Sequence, residues 1–111
     1  MITRDGFLAA LNNAIPESAG IVEEHLYDND ELLLHLLMSD LLRMTVDAFQ
    51  AGQVEVTDRL LLFIDGCLGD GDGDIVNAVM VSFVEDFGAY PGESDALLDR
   101  WPPALRAQLG R

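Results

Sequence analysis

The stretch from Leu33 to Ala48 limits the fold more than any other part of the chain. Leu33, Leu34, Leu36, Leu37, Leu41, Met44 and Ala48 recur at helical spacing and cover much of a helix circumference. The polar residues Glu31, His35, Ser39, Arg43 and Asp47 recur every four positions, a narrow stripe that drifts slowly around the axis. A helix so apolar has to lie between other helices, which makes it the central element. Asp30 is expected to cap it, because a short carboxylate can accept from a free N–H of the first turn. Gly52 is expected to close it just past Ala51, where a left-handed residue ends many helices.

The rest of the chain also reads as helix, and no run alternates apolar and polar residues as a half-buried strand would. Thr3 is placed to cap a first helix carrying Phe7, Leu8, Leu11 and Ile15, with Pro16 as the next boundary. A second helix is expected from Glu17 to about Asn29, with Ile21, Val22 and Leu26 inward. A fourth runs from about Val54 to Leu68, with Val56, Leu60, Phe63, Ile64 and Cys67 inward. Asp70-Gly71-Asp72-Gly73-Asp74 then breaks the chain, and Asp74 is expected to cap a fifth helix from Ile75 to Phe87. Gly88 to Ser94 reads as a loop, followed by short helices near Asp95–Arg100 and Pro103–Leu109. The expectation is one all-α domain over residues 1–111, with five principal helices and a short C-terminal one. Antiparallel helix pairs would pack as a bundle or, given the faint echo between Ala51–Val56 and Gly71–Val76, in HEAT fashion.

Composition narrows the function classes. Half of the 111 residues are apolar, enough for one core and too many for a disordered chain. No apolar run approaches the roughly 18–20 residues that span a bilayer. The N-terminus lacks the basic-then-apolar layout of a signal peptide, so a cytoplasmic protein is expected. Cys67 is the single cysteine, which excludes an internal disulfide and a thiolate zinc cluster and suits a buried, inert thiol. Twenty acidic residues stand against six basic ones, all arginine, for a net charge of −14. Such a surface repels nucleic acid and anionic lipid and favours rapid association with basic proteins. The same acidity also serves solubility on its own.

The candidate partner-binding residues are the acids expected at helix ends: Asp28, Asp30 and Glu31 on one connection, and Asp70, Asp72 and Asp74 on another. The second group imitates the opening of an EF-hand, but its sixth position is Ile75 instead of glycine and its twelfth is Val81 instead of glutamate. His25 and His35 stand outside any metal-ligand spacing, so neither metal nor other cofactor is expected. His35, Asp40 and Arg43 are read as structural polar residues of the central helix. Asp40, Arg43 and Asp47 have the spacing of helix ion pairs, and such a trio would bridge neighbouring helices. Asn77 and Ser82 interrupt the apolar fifth helix, where burial would oblige them to find hydrogen-bond partners. Ser82 has no base near it in sequence, and no phosphate loop or nucleophile elbow is present, so the chain is expected not to be an enzyme. Trp101, just before Pro102-Pro103, reads as an anchor for the C-terminal segment.

Three blocks carry a resemblance: Leu34-His35-Leu36-Leu37-Met38-Ser39-Asp40-Leu41-Leu42-Arg43, Asn77-Ala78-Val79-Met80-Val81-Ser82-Phe83-Val84-Glu85, and Pro103-Ala104-Leu105-Arg106. Together they resemble the signature blocks of an uncharacterised family of small, acidic bacterial proteins, over about residues 15–110. Such proteins are similar in size, acidity and helical make-up to immunity proteins of polymorphic-toxin systems. The resemblance implies a non-enzymatic, protein-binding domain that masks a basic toxin. The rival expectation is a helical scaffold or homodimerisation module, with Leu62 and its apolar neighbours as the self-association patch.

Overall fold

The computed structural model describes residues 1–87 and 95–109, and among these every regular element is helical. They are α1 (Phe7–Ala14), a 3₁₀ turn (Pro16–Ser18), α2 (Ala19–Asn29), α3 (Leu34–Gln50), α4 (Val54–Asp70), α5 (Gly73–Val79), a π-helical segment (Met80–Val84), α6 (Asp95–Leu98) and α7 (Pro103–Leu109). The loop expected over Gly88–Ser94 lies outside the described residues.

α3 is the central element. It packs against α2, α4, α5 and the π segment. Leu37, Met38, Leu41, Leu42 and Val46 are buried on it, against Leu60 and Ile64 of α4, Ile75 and Val79 of α5, and Phe83. Removing side chains of this size from water is the main stabilising term, at about 1.5–3 kcal/mol each. Thr45 and Thr57 enter the core because each hydroxyl donates back to a carbonyl one turn earlier, Leu41 O and Gln53 O, both at 2.8 Å. Leu36 does not join them. It is 52 % exposed, on the opposite side of the helix.

Asp30 does not cap α3. It terminates α2 in the left-handed conformation (φ 61°), its N–H donating to Leu26 O at 2.9 Å. Aspartate is among the few non-glycine residues that tolerate this region. α3 starts four residues later, after an extended Leu33 whose N–H donates to His25 Nε2 at 3.0 Å. The far end follows expectation: Gly52 (φ 78°) donates to Phe49 O while Gln53 donates to Ala48 O. These two bonds form the Schellman pattern that satisfies the last carbonyls of a helix.

The cap of α5 also differs by two residues from the sequence reading. Asp72, not Asp74, accepts the Ile75 N–H (3.0 Å), and Asp74 stands exposed in the first turn. Either acid fits the local pattern. The choice falls to Asp72 because Ile2 pairs with the connection, donating to Asp70 O (2.8 Å) and accepting from Asp72 N (2.9 Å). Gly71, between them, has no room for a side chain, since a Cβ there would stand 2.4 Å from Cys67 O. Gly52 is left-handed and Gly71 is extended, so the two echoing connections differ in backbone form.

The expected fifth helix changes pitch partway. After Val79 the bonding slips by one residue, and Glu85 N donates to Met80 O at 3.1 Å, the π-helical interval. The slip keeps Ser82, Phe83 and Val84 all buried. Trp101 lies against Phe83 and Phe87, with ring centres 5.6 and 4.9 Å away, and so anchors the C-terminal segment. α1 and α7 both rest on α4.

Candidate functional site

α2 and α3 meet loosely, and a cavity of 330 Å³ opens between them. Successive turns of both helices line it, since residues three and four apart share a helix face. From α2 come Ile21, Glu24, His25, Asp28 and Asn29; from α3 come Leu36, Asp40, Arg43 and Met44. Ile21, Leu36 and Met44 give it an apolar component. Glu24, Asp28 and Asp40 give it three carboxylates against the single guanidinium of Arg43. None of those three acids takes part in an ion pair among the described residues. Among the same residues, no group of three or more His, Cys, Asp or Glu side chains is arranged to hold a metal ion.

His25 is the buried polar residue of the cleft, 3 % exposed. Its Nε2 accepts the Leu33 N–H, so the ring hydrogen is on Nδ1, and Nδ1 donates to no described group. Asn29 steadies the same turn by donating to His25 O at 2.8 Å. His25 therefore brings to the lining of the cleft a ring donor with no described acceptor, beside an excess of carboxylates.

The acids singled out in the sequence separate into different roles. Asp28 lines the cleft, together with Asp40 and Arg43, which the sequence reading had assigned to structure alone. Asp30 and Glu31 are exposed on the adjoining connection, where the Arg4 guanidinium donates to Leu32 O. At the other connection Asp72 is occupied as a helix cap and Asp70 holds Ile2 through its carbonyl, while Asp74 is exposed. Asp40, half-buried, and Arg43, exposed, stand on the cleft wall, and Asp47 is exposed one turn further along α3.

Other arginines are committed to acids within the fold. Arg59 forms a two-pronged pair with Glu17, and Arg100 with Asp58 at 2.9 and 2.6 Å. Arg106 reaches Asp99 at 3.2 Å. The Arg59 hydrogen bonds hold the Glu17 carboxyl down at about 2, and Arg100 lowers Asp58 in the same way. Spending cations internally leaves the cleft acids as attractive charge. Cys67 is fully buried in α4, and desolvation pushes its thiol up to about 12.

A second polar cluster joins α3 to the π segment. His35 Nδ1 lies 2.9 Å from Ser82 Oγ, so the fold gives the buried hydroxyl the hydrogen-bond partner that its burial calls for. Ser39 Oγ donates to Ser82 O (3.3 Å) and contacts Asp86 Oδ2 (3.1 Å). The π slip turns Ser82 O toward Ser39, and the hydroxyl satisfies it. Asn77, expected to be a buried structural residue, is instead exposed, because it stands on the side of α5 away from the buried Ile75, Ala78 and Val79. Sequence reasoning assigned no role to Glu24, Ser39 or Asp86 in these clusters and did not foresee the bond from Leu33 to His25. The one available signal was Ile21, Glu24 and Asp28 sharing a face of α2.

No helix among the described residues is long and apolar enough to cross a membrane. Comparison with curated proteins and with solved structures gives no match. A family model does match, over residues 8–111, and all three blocks noted in the sequence fall within that span. The chain belongs to this family, described as a domain of unknown function (DUF7674).

Proposed function

We propose that the chain is a protein-binding domain that presents the α2–α3 cleft and its acidic rim to a basic partner. The observation that carries this reading is three carboxylates around an open, partly apolar cleft, beside arginines already paired elsewhere. Asp30 and Glu31 extend the same charge onto the neighbouring connection. Opposite charge accelerates encounter and orients it, while the apolar component supplies contact area. In its sharper form the domain is an immunity-type inhibitor, working in the cytoplasm, that neutralises a basic toxin by covering its surface.

The test is protection against a toxin encoded beside the gene, combined with association rates measured across salt. Screening acts over about 10 Å at 0.1 M salt, so the association rate should fall steeply as salt rises. Replacing Asp28, Asp30 and Glu31 by Asn or Gln should slow association and leave the fold intact. No protection, together with salt-insensitive behaviour, removes the reading.

The second reading, a homodimerisation or scaffold module, has an observation of its own. Leu62 is 63 % exposed on α4, beside a concavity of 520 Å³ whose wall includes Leu61, Trp101, Pro102 and Pro103. Such a module would self-associate at high salt, and Leu62→Lys would return it to monomer in sedimentation.

A further inference from the structure

The α2–α3 cleft combines features that favour one kind of occupant. Its volume, 330 Å³, is at the lower end of the roughly 300–1,000 Å³ of ligand pockets, enough for a side chain and too little for a helix. Ile21, Leu36 and Met44 suit a methylene stem. Glu24, Asp28 and Asp40 are not gathered closely enough for a metal ion, which favours an extended cation over a spherical one. A guanidinium spreads five donors across a plane, whereas an ammonium acts as a compact point charge. The second observation is independent of charge. His25, more than nine-tenths buried, offers an Nδ1 hydrogen with no described acceptor, and a donor calls for a carbonyl, not a cation. A peptide unit bearing arginine carries both groups.

We propose that the cleft seats an arginine of the partner protein, its guanidinium among Glu24, Asp28 and Asp40 and a main-chain carbonyl accepting from His25 Nδ1. This rests on the protein-binding reading and specifies what that site recognises.

The experiment follows the backbone amide resonances of the full chain as short blocked peptides are added, Gly-Arg-Gly first. Saturable shifts centred on residues 21–29 and 36–44 are expected. The citrulline peptide, neutral and similar in shape, should leave them unmoved, and the lysine peptide should bind more weakly. Asp40→Asn should weaken the arginine peptide roughly fivefold, about the effect of one exposed ion pair, and Glu85→Gln outside the cleft should not. Butylguanidinium carries the same single charge without a peptide carbonyl and should bind several-fold more weakly. His25→Gln keeps an acceptor for Leu33 N–H, moves the side-chain donor away from the Nδ1 position and should abolish the difference between peptide and butylguanidinium. Equal binding of butylguanidinium and peptide to the unmodified chain overturns the His25 contact, whether or not His25→Gln folds. If a basic protein binds while the arginine peptide leaves the cleft unmoved, the protein-binding reading stands and this proposal falls. If the peptide seats in the cleft and no basic protein binds, the reverse holds.

Discussion

α3 has two unlike sides. Toward α4, α5 and the π segment it places Leu37, Met38, Leu41, Leu42 and Val46, all buried in continuous contact with the core. Toward α2 it places Leu36, Asp40, Arg43 and Met44 around an open cleft. The first side carries the stability, since close-packed interiors tolerate neither voids nor extra volume. The second is held by few apolar contacts and by single hydrogen bonds such as Leu33 N to His25 Nε2. A helix fixed so firmly on one side can leave the other open without losing its position.

Substitutions on the two sides should separate widely. Phe83→Ala, deep in the core beside Trp101, should cost about 3–5 kcal/mol by urea denaturation, and Leu37→Ala about 2–5 kcal/mol. A loss below about half a kcal/mol would mean that neither is core. Gly71→Ala should cost about 1–3 kcal/mol, because a Cβ there meets the rigid carbonyl of Cys67 and the Ile75 side chain. Ser82→Ala, which removes the contact with exposed His35, should cost about 1 kcal/mol. Leu36→Ala, on the cleft side, should fall within about half a kcal/mol of the parent while altering partner affinity. If Leu36 and Leu37 proved equally costly, the contrast between the two sides would collapse.

The smallest effect concerns acid. Glu17 ionises at about 2 in the folded chain against an ordinary value of 4.5. A depressed carboxyl contributes stability that is fully present above the unfolded value and lost as pH falls through the folded one. The Arg59–Glu17 contribution should therefore be complete above about pH 4.5 and vanish toward pH 2. Arg59→Gln should flatten stability across that window, read as the midpoint of thermal unfolding against pH. Both side chains are partly exposed, so salt should shrink the difference.

The large features were legible because they rest on periodicity. The apolar coverage of α3, the Gly52 terminus and the inward set Leu60, Ile64 and Cys67 all follow from spacing alone. What escaped was decided by contacts between distant segments. Asp30 and Asp74 satisfy local capping rules, yet His25 and Asp72 supply the bonds at those helix starts, and Ile2 holds the second connection in place. The π slip has no local signature in Met80-Val81-Ser82-Phe83-Val84. It lets three consecutive side chains be buried against α3 and the C-terminal segment. Of the candidate site, Asp28, Asp40 and Arg43 were visible as separate residues. Their common cleft was not, because nothing in one helix states which face its neighbour will leave uncovered.

Cys67 gives the molecule a built-in clock. It is the only thiol in the chain, fully buried, and held far from the thiolate form that reacts with labelling reagents. A thiol reagent therefore finds it only when α4 lifts from the core, so the labelling rate measures how often that happens. No engineered probe is needed to time core opening in the native sequence. A ligand seated between α2 and α3 should slow this rate only as far as it stabilises the whole domain, and a ligand that leaves it unchanged acts on the cleft alone.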